Sequence, residues 1–156
     1  MKKILILLAL GAIFNYCQAQ ETKGKKDGKE INVPAVVKSS FAAKFSNADK
    51  VKWSLEKPGE YEAEFEQNKV ETSAVFDEKG TLLETETEIK ESELPQAIKA
   101  VIAKDFAGYK LKEIAKAVAK NITTYEIEVE KDKKTSELVF DANGKLLKNK
   151  EEKEKD

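Results

Sequence analysis

The ten residues VFDEKGTLLE (75–84) return as VFDANGKLLK (139–148), and the repetition reaches well beyond them. YEAEFEQNKVETSAVFDEKGTLLE (61–84) aligns without gaps to YEIEVEKDKKTSELVFDANGKLLK (125–148), with 11 of 24 positions identical. Upstream, VPAVVKSSFAAKF (33–45) aligns with LPQAIKAVIAKDF (94–106). The offset grows from 61 to 64, which points to a middle loop three residues longer in the second copy. Two copies are too few for an open solenoid. The pattern predicts a closed pair of half-domains, 33–90 and 91–150.

Both copies share one grammar. Pro34 and Pro95 suit the first turn of a helix, where a missing N–H costs nothing. Val37, Phe41 and Phe45 follow at spacing four, and Ile98, Val101, Ile102 and Phe106 form the stripe of a second amphipathic helix. Strands come next. VKWSLE (51–56) places Val51, Trp53 and Leu55 on one face, and core packing is the expected role of Trp53 and Tyr61. YEAEFE and YEIEVE alternate strictly. KVETSAVF, TLLETETE, KTSELVF and KLLKN complete the set, with turns at PG, QN, DEKG, KDK and DANG. LKEIAKAVAK (111–120) suits helix or strand by composition, and only the repeat makes it a strand. The expected fold is α+β: a helix plus about four antiparallel strands, twice, with both helices packed on the apolar face of the sheet.

The ends carry different signals. Lys2 and Lys3 precede an uncharged apolar run (4–14), and Cys17 and Ala19 supply small residues before a cleavage point after Ala19. This is the pattern of a secretory signal peptide, 1–19. The run is too short to span a bilayer, which takes about 20 residues. Lipidation of Cys17 is the alternative, although Phe14, Asn15 and Tyr16 do not make a small-residue lipobox. A polar segment, 20–32, reads as a flexible leader, and 151–156 as a charged tail. A periplasmic or secreted chain with no membrane span after cleavage is expected. It would be a monomer without a cysteine, held by its core alone.

Composition removes most catalytic devices. There is no histidine anywhere, every basic residue is lysine, and neither GxxxxGK[ST] nor GxGxxG occurs. Imidazole chemistry, thiol nucleophiles in the mature chain and arginine clamps on phosphate are excluded. Nucleic acid is not an expected partner, since base and phosphate readers rely on arginine. DANG lacks the spacing of a calcium loop; Asp and Gly at its ends suit a hairpin turn. No cofactor and no metal site is expected.

Two glutamate rows remain, Glu62/Glu64/Glu66 and Glu126/Glu128/Glu130. Each puts three carboxylates on one strand face. A solvated face balanced by neighbouring lysines is the plain reading. Contact with a partner is the functional one, and Tyr109, beside Gly108 at a helix exit, is a further candidate expected to be exposed. Carboxylate catalysis needs an acid pair with unlike environments in a cleft, which an open face does not provide.

The proline-opened helix, the Tyr-Glu-x-Glu strand and the phrase built on Phe76, Asp77, Gly80 and Leu82 recur at Tyr125, Phe140, Asp141, Gly144 and Leu146. Together with Tyr61 and the signal peptide, this pattern resembles the PepSY-like, beta-lactamase-inhibitor-like proteins of bacterial envelopes, over about 33–151. The resemblance implies a periplasmic, non-catalytic module that binds an unidentified envelope protein. A periplasmic binder of small ligands or cations is the competing reading. The resemblance also implies a sheet face that grips an enzyme, as in beta-lactamase inhibitor protein, but this chain lacks that inhibitor's disulfides, and no inhibitory loop maps onto its residues.

Overall fold

A computed structural model describes residues 31–151. The expected signal peptide, Cys17, nearly all of the leader and the tail beyond Glu151 lie outside the described residues. The chain runs α1 (Ala35–Lys44), β1 (Ala48–Lys57), β2 (Glu60–Gln67), β3 (Val70–Asp77) and β4 (Leu82–Glu88). A 3-10 turn (Glu91–Glu93) leads into α2 (Gln96–Asp105), β5 (Lys110–Ala119), β6 (Ile122–Lys131), β7 (Lys134–Asp141) and β8 (Leu146–Glu151). All eight strands form one antiparallel sheet in chain order, β1 to β8. The closed pair expected from the repeat is thus an open sheet with edges at β1 and β8.

The helices start where the prolines dictate, one position later than expected. Pro34 and Pro95 are the N-cap residues rather than first-turn residues, and their ψ angles of 143° and 142° are extended. Each still accepts the first intrahelical bond, from the N–H of Lys38 and Lys99, both at 3.1 Å. Val37 and Phe41 of α1 join Ala63, Phe65, Ala74 and Phe76 in one core cluster. Phe41 lies 5.0 Å from the Phe65 ring and 5.3 Å from that of Trp53. Ile98 of α2 joins Ile114, Ile127, Val129, Leu138 and Phe140 in a second cluster. The first core is aromatic and the second mainly aliphatic, so the duplicated backbone is packed by two different sets of side chains.

From β1, Ala48 packs against the core together with Trp53. Val51 and Leu55, expected beside Trp53, are exposed: a register shift between Asp49 and Lys52 falls at Val51, and Leu55, still in phase with Trp53, stands near the end of an edge strand. LKEIAKAVAK is strand, as the repeat required. The three extra residues of the second copy do not make a longer loop. The hairpin turn stands two residues before Tyr61 but four before Tyr125, so most of the insertion lengthens the β5–β6 hairpin. That longer hairpin pairs Ala115, Lys116, Ala117, Val118 and Ala119 with β4 and joins the two halves of the sheet.

The repeated phrase resolves into three devices. Asp77 and Asp141 each fold a carboxylate oxygen back on their turn. Asp77 accepts the N–H groups of Lys79 (3.0 Å) and Thr81 (2.7 Å); Asp141 accepts those of Asn143 and Lys145, both at 2.9 Å. Gly80 and Gly144 take left-handed φ of 80° and 85° directly beneath a helix. The Leu-Leu pair is a β-bulge: Phe76 faces Leu82 while Val75 faces Glu84, and Phe140 faces Leu146 while Val139 faces Lys148.

The N–H of Thr81, followed by its hydroxyl and the N–H of Lys79, holds the Asp77 carboxyl below the usual carboxylate range. A group depressed in the folded state contributes stability above its unfolded value, lost as pH falls through the folded one. Asp77→Ala is therefore expected to lower the urea midpoint at pH 7 but to change it little once the carboxyl is protonated. Asp77→Asn should retain most of the turn.

Candidate functional site on the acidic face

Directly opposed residues of neighbouring strands point to the same side of a sheet. The registers therefore trace rows across the face that carries Glu62 rather than Phe65. One runs Glu62, Val75, Glu84, Ala119; the next Glu64, Ser73, Glu86, Ala117, Thr124; a third Glu88, Ala115, Glu126, Val139, Lys148. Along the join of the two halves, three alanines of β5 form a floor. Glu84, Glu86 and Glu88 line it on the β4 side; Thr124, Glu126 and Glu128 line it on the β6 side.

This face is not the evenly solvated surface that alternation suggests. Glu62, Glu84 and Glu86 are buried, Glu86 with only 3% of its surface exposed. Their side chains differ in support. Glu62 accepts a hydrogen bond from the Ser54 hydroxyl at 2.8 Å. Glu137 takes both oxygens to the Lys148 ammonium at 3.1 Å. Glu86 Oε2 and its cross-strand neighbour Ser73 Oγ are buried without any hydrogen-bond partner. An unmade bond of this kind costs roughly 1–3 kcal/mol.

Burial and mutual repulsion set the proton affinities. Burial first, then the charges of Glu126, Glu84, Glu62 and Glu137, pushes the Glu86 carboxyl up to about 9. Burial, Glu137 and Glu84 push Glu126 up to about 7, against the pull of Lys148. Glu84 is raised too, by burial and then Glu56 and Glu60. At neutral pH Glu86 thus favours its protonated form, and Glu126 titrates near neutrality. The unlike environments thought to be missing from an open face are present.

The residues singled out from sequence separate accordingly. Glu62, Glu64 and Glu66 share one side of β2, with Glu66 in an ion pair with Lys50. Glu126 and Glu128 border the alanine floor, and Glu130 lies beyond it, held by Lys112 at 2.8 Å. Lys112 depresses the Glu130 carboxyl. Tyr109 is a correction. Its ring is half-buried against the second core, stacked edge-on to Phe106 at 5.6 Å with the Lys131 ammonium 5.2 Å over its face. Alternation alone missed Glu84, Glu86, Ser73 and Glu137. The ETETE run (84–88) carried the same period-two signal as the other rows, but counting from Leu82 puts it on the core side. The bulge at Leu83 reverses that phase.

Among the described residues no group of three or more acidic side chains is arranged to hold a metal ion. No described helix is long and apolar enough to cross a membrane.

Residues 20–84 and 59–148 each match the model of the family described as "Putative beta-lactamase-inhibitor-like, PepSY-like". Solved structures share the fold, among them the following three. A "BLIP-like protein" from Bacteroides fragilis NCTC 9343 is 23% identical, with a TM-score of 0.69, over 85% of this chain and 95% of that one. A structure described as "putative periplasmic proteins" from Bacteroides eggerthii DSM 20697 is 19% identical, with a TM-score of 0.71, over 77% and 89%. A DUF2874 family protein from Bacteroides uniformis ATCC 8492 is 20% identical, with a TM-score of 0.70, over 76% and 88%. No curated protein matches the sequence.

Proposed function

Because this chain belongs to the beta-lactamase-inhibitor-like, PepSY-like family, we propose that it is a non-catalytic binding module of the bacterial envelope. In this reading a gene duplication fused two half-domains, each a helix laid on four strands. The chain is exported by the segment 1–19 and works in the periplasm as a monomer. It engages another envelope protein, and the acidic face is its contact surface. One observation carries the reading: a continuous sheet face crosses both halves and concentrates carboxylates, and one of them, Glu86, keeps a buried oxygen that folding leaves without a hydrogen-bond partner. Proteins retain unsatisfied buried polar groups mostly where function uses them.

Support for a non-catalytic role is chemical. Glu86 and Glu126 could exchange protons, but the described chain offers no histidine, cysteine or arginine to act with them. The test is affinity capture from periplasmic extract at several salt concentrations, with the wild type beside a Glu62→Gln/Glu86→Gln/Glu126→Gln variant. A protein retained by the wild type and released by the variant is the expected result. Identical recoveries from both would remove the acidic face from the function.

A further inference from the structure

Resting on the binding-module reading, we propose that the acidic trough over β5 receives an extended, lysine- or arginine-bearing segment of the partner protein. One cationic head group would sit between Glu86, Ser73 and Glu126. Three observations meet there. The floor is methyl groups, Ala115, Ala117 and Ala119, the shortest side chains of the join, with Ala115 and Ala117 buried among the flanking carboxylates. The β4 wall carries a carboxylate at every second residue and the β6 wall carries Glu126 and Glu128, a repeat of about 7 Å that matches the side-chain spacing of an extended chain laid along the strand. The third is the orphaned pair: Glu86 Oε2 and Ser73 Oγ, 3% and 1% exposed as residues, share a face with those walls and have no partner.

The chemistry of the occupant follows from charge and geometry. Glu62, Glu84, Glu126 and Glu137 all raise Glu86 by repulsion, and Lys148, which pulls on Glu126, is already bound to Glu137. A cation is the missing counterpart. A metal ion needs several oxygens converging within about 2.0–2.6 Å of one point, and no described group of acids converges in this way. An ammonium or guanidinium reaches carboxylates on two separated strands through its own fan of donors. The two oxygens of Glu86 exchange by rotation about a broad terminal torsion, so either can turn to meet it.

Seating a cation against Glu86 and Glu126 favours their ionised forms, so binding at pH 7 must release protons. A superficial acidic patch would release none. The experiment is titration calorimetry at pH 7 with an acetylated, amidated (Lys-Ala)5 peptide, in two buffers of different ionisation enthalpy. Spermine and calcium chloride are run alongside as single probes.

The expected result is saturable peptide binding with an apparent enthalpy that differs between the buffers. Glu86→Gln should weaken binding roughly tenfold or more and remove most of the proton release. Glu126→Gln should remove a smaller part. Both are near-isosteric, and circular dichroism is the check that each variant keeps the fold. No peptide binding, binding without proton release, or binding indifferent to Glu86→Gln would each overturn the proposal. So would spermine as tight as the peptide, which indicates a free amine, or displacement of the peptide by calcium, which indicates a metal. If the peptide fails while the triple variant still loses a periplasmic partner, the binding-module reading stands and this inference falls.

Discussion

Gly144→Ala is expected to lower the unfolding free energy by about 2–5 kcal/mol, from a left-handed penalty of roughly 1–2 kcal/mol and an overpacking cost of roughly 1–3 kcal/mol. Gly144 has a φ of 85°, and a Cβ there would stand 2.9 Å from both the carbonyl carbon and the Cβ of Ala97, in the first turn of α2. Backbone atoms cannot swing aside as a side-chain tip does, so the helix must lift from the hairpin. Gly80 repeats the arrangement: a Cβ would stand 2.5 Å from Ser40 Oγ and 3.0 Å from the Val36 carbonyl oxygen of α1. Gly80→Ala should cost slightly less, because the Ser40 hydroxyl can rotate. Gly108 is the control. Its φ is 82°, but nothing lies within 4 Å of the added carbon, so Gly108→Ala should show the conformational penalty alone. Urea unfolding of the three variants separates the terms. Equal losses at Gly108 and Gly144 would mean that the helix does not bear on the hairpin.

Glu86→Gln is expected to make the protein more stable at pH 8 and to flatten its stability between pH 7 and 9. The Glu86 carboxyl is raised in the folded state to about 9 from an ordinary value near 4.5. A raised carboxyl makes the folded protein bind more protons than the unfolded chain. Stability is then greatest below the unfolded value and is lost as pH rises through the folded one. Glu126, raised to about 7, acts in the same direction over the lower part of that window. Between pH 7 and 9 Glu86 therefore dominates, and the wild type should lose up to about 1.4 kcal/mol per pH unit. The amide keeps the shape of the side chain and carries no charge, so the variant should lack most of this slope. Chemical denaturation at three pH values reads it directly. A wild type as stable at pH 9 as at pH 7 would show that the buried carboxyl is accommodated as an anion.

The fold was legible in the sequence to the extent that it is local. Period-two alternation located the strands of both copies, and Asp-x-x-Gly located the two turns that fasten them. LKEIAKAVAK shows how far the repeat reaches, since its composition alone did not separate strand from helix. Tyr109 shows the limit: beside a glycine it looked free, but the Phe106 and Lys131 side chains that enclose it come from the C-cap of α2 and from the end of β6. Val51 and Leu55 fail in the opposite direction, because alternation says nothing of an irregular edge.

The candidate site was half legible. Glu62, Glu64, Glu66, Glu126 and Glu128 were visible as rows, but Glu86, on which Glu62 and Glu126 act, was not. A one-residue bulge at Leu83 carries Glu84, Glu86 and Glu88 across the sheet, and no period-two count includes it. The three-residue insertion looked like loop length and instead built the alanine-floored join beside Glu86.

By itself, then, the sequence determined the duplicated helix-and-strand plan and its turns, because spacing and turn chemistry act between residues a few positions apart. Only the tertiary structure decided that the copies share one open sheet with two cores, and that carboxylates from β2, β4, β6 and β7 crowd around Glu86. Strand register and burial depend on residues dozens of positions apart, and they govern which charges meet and which lose their water.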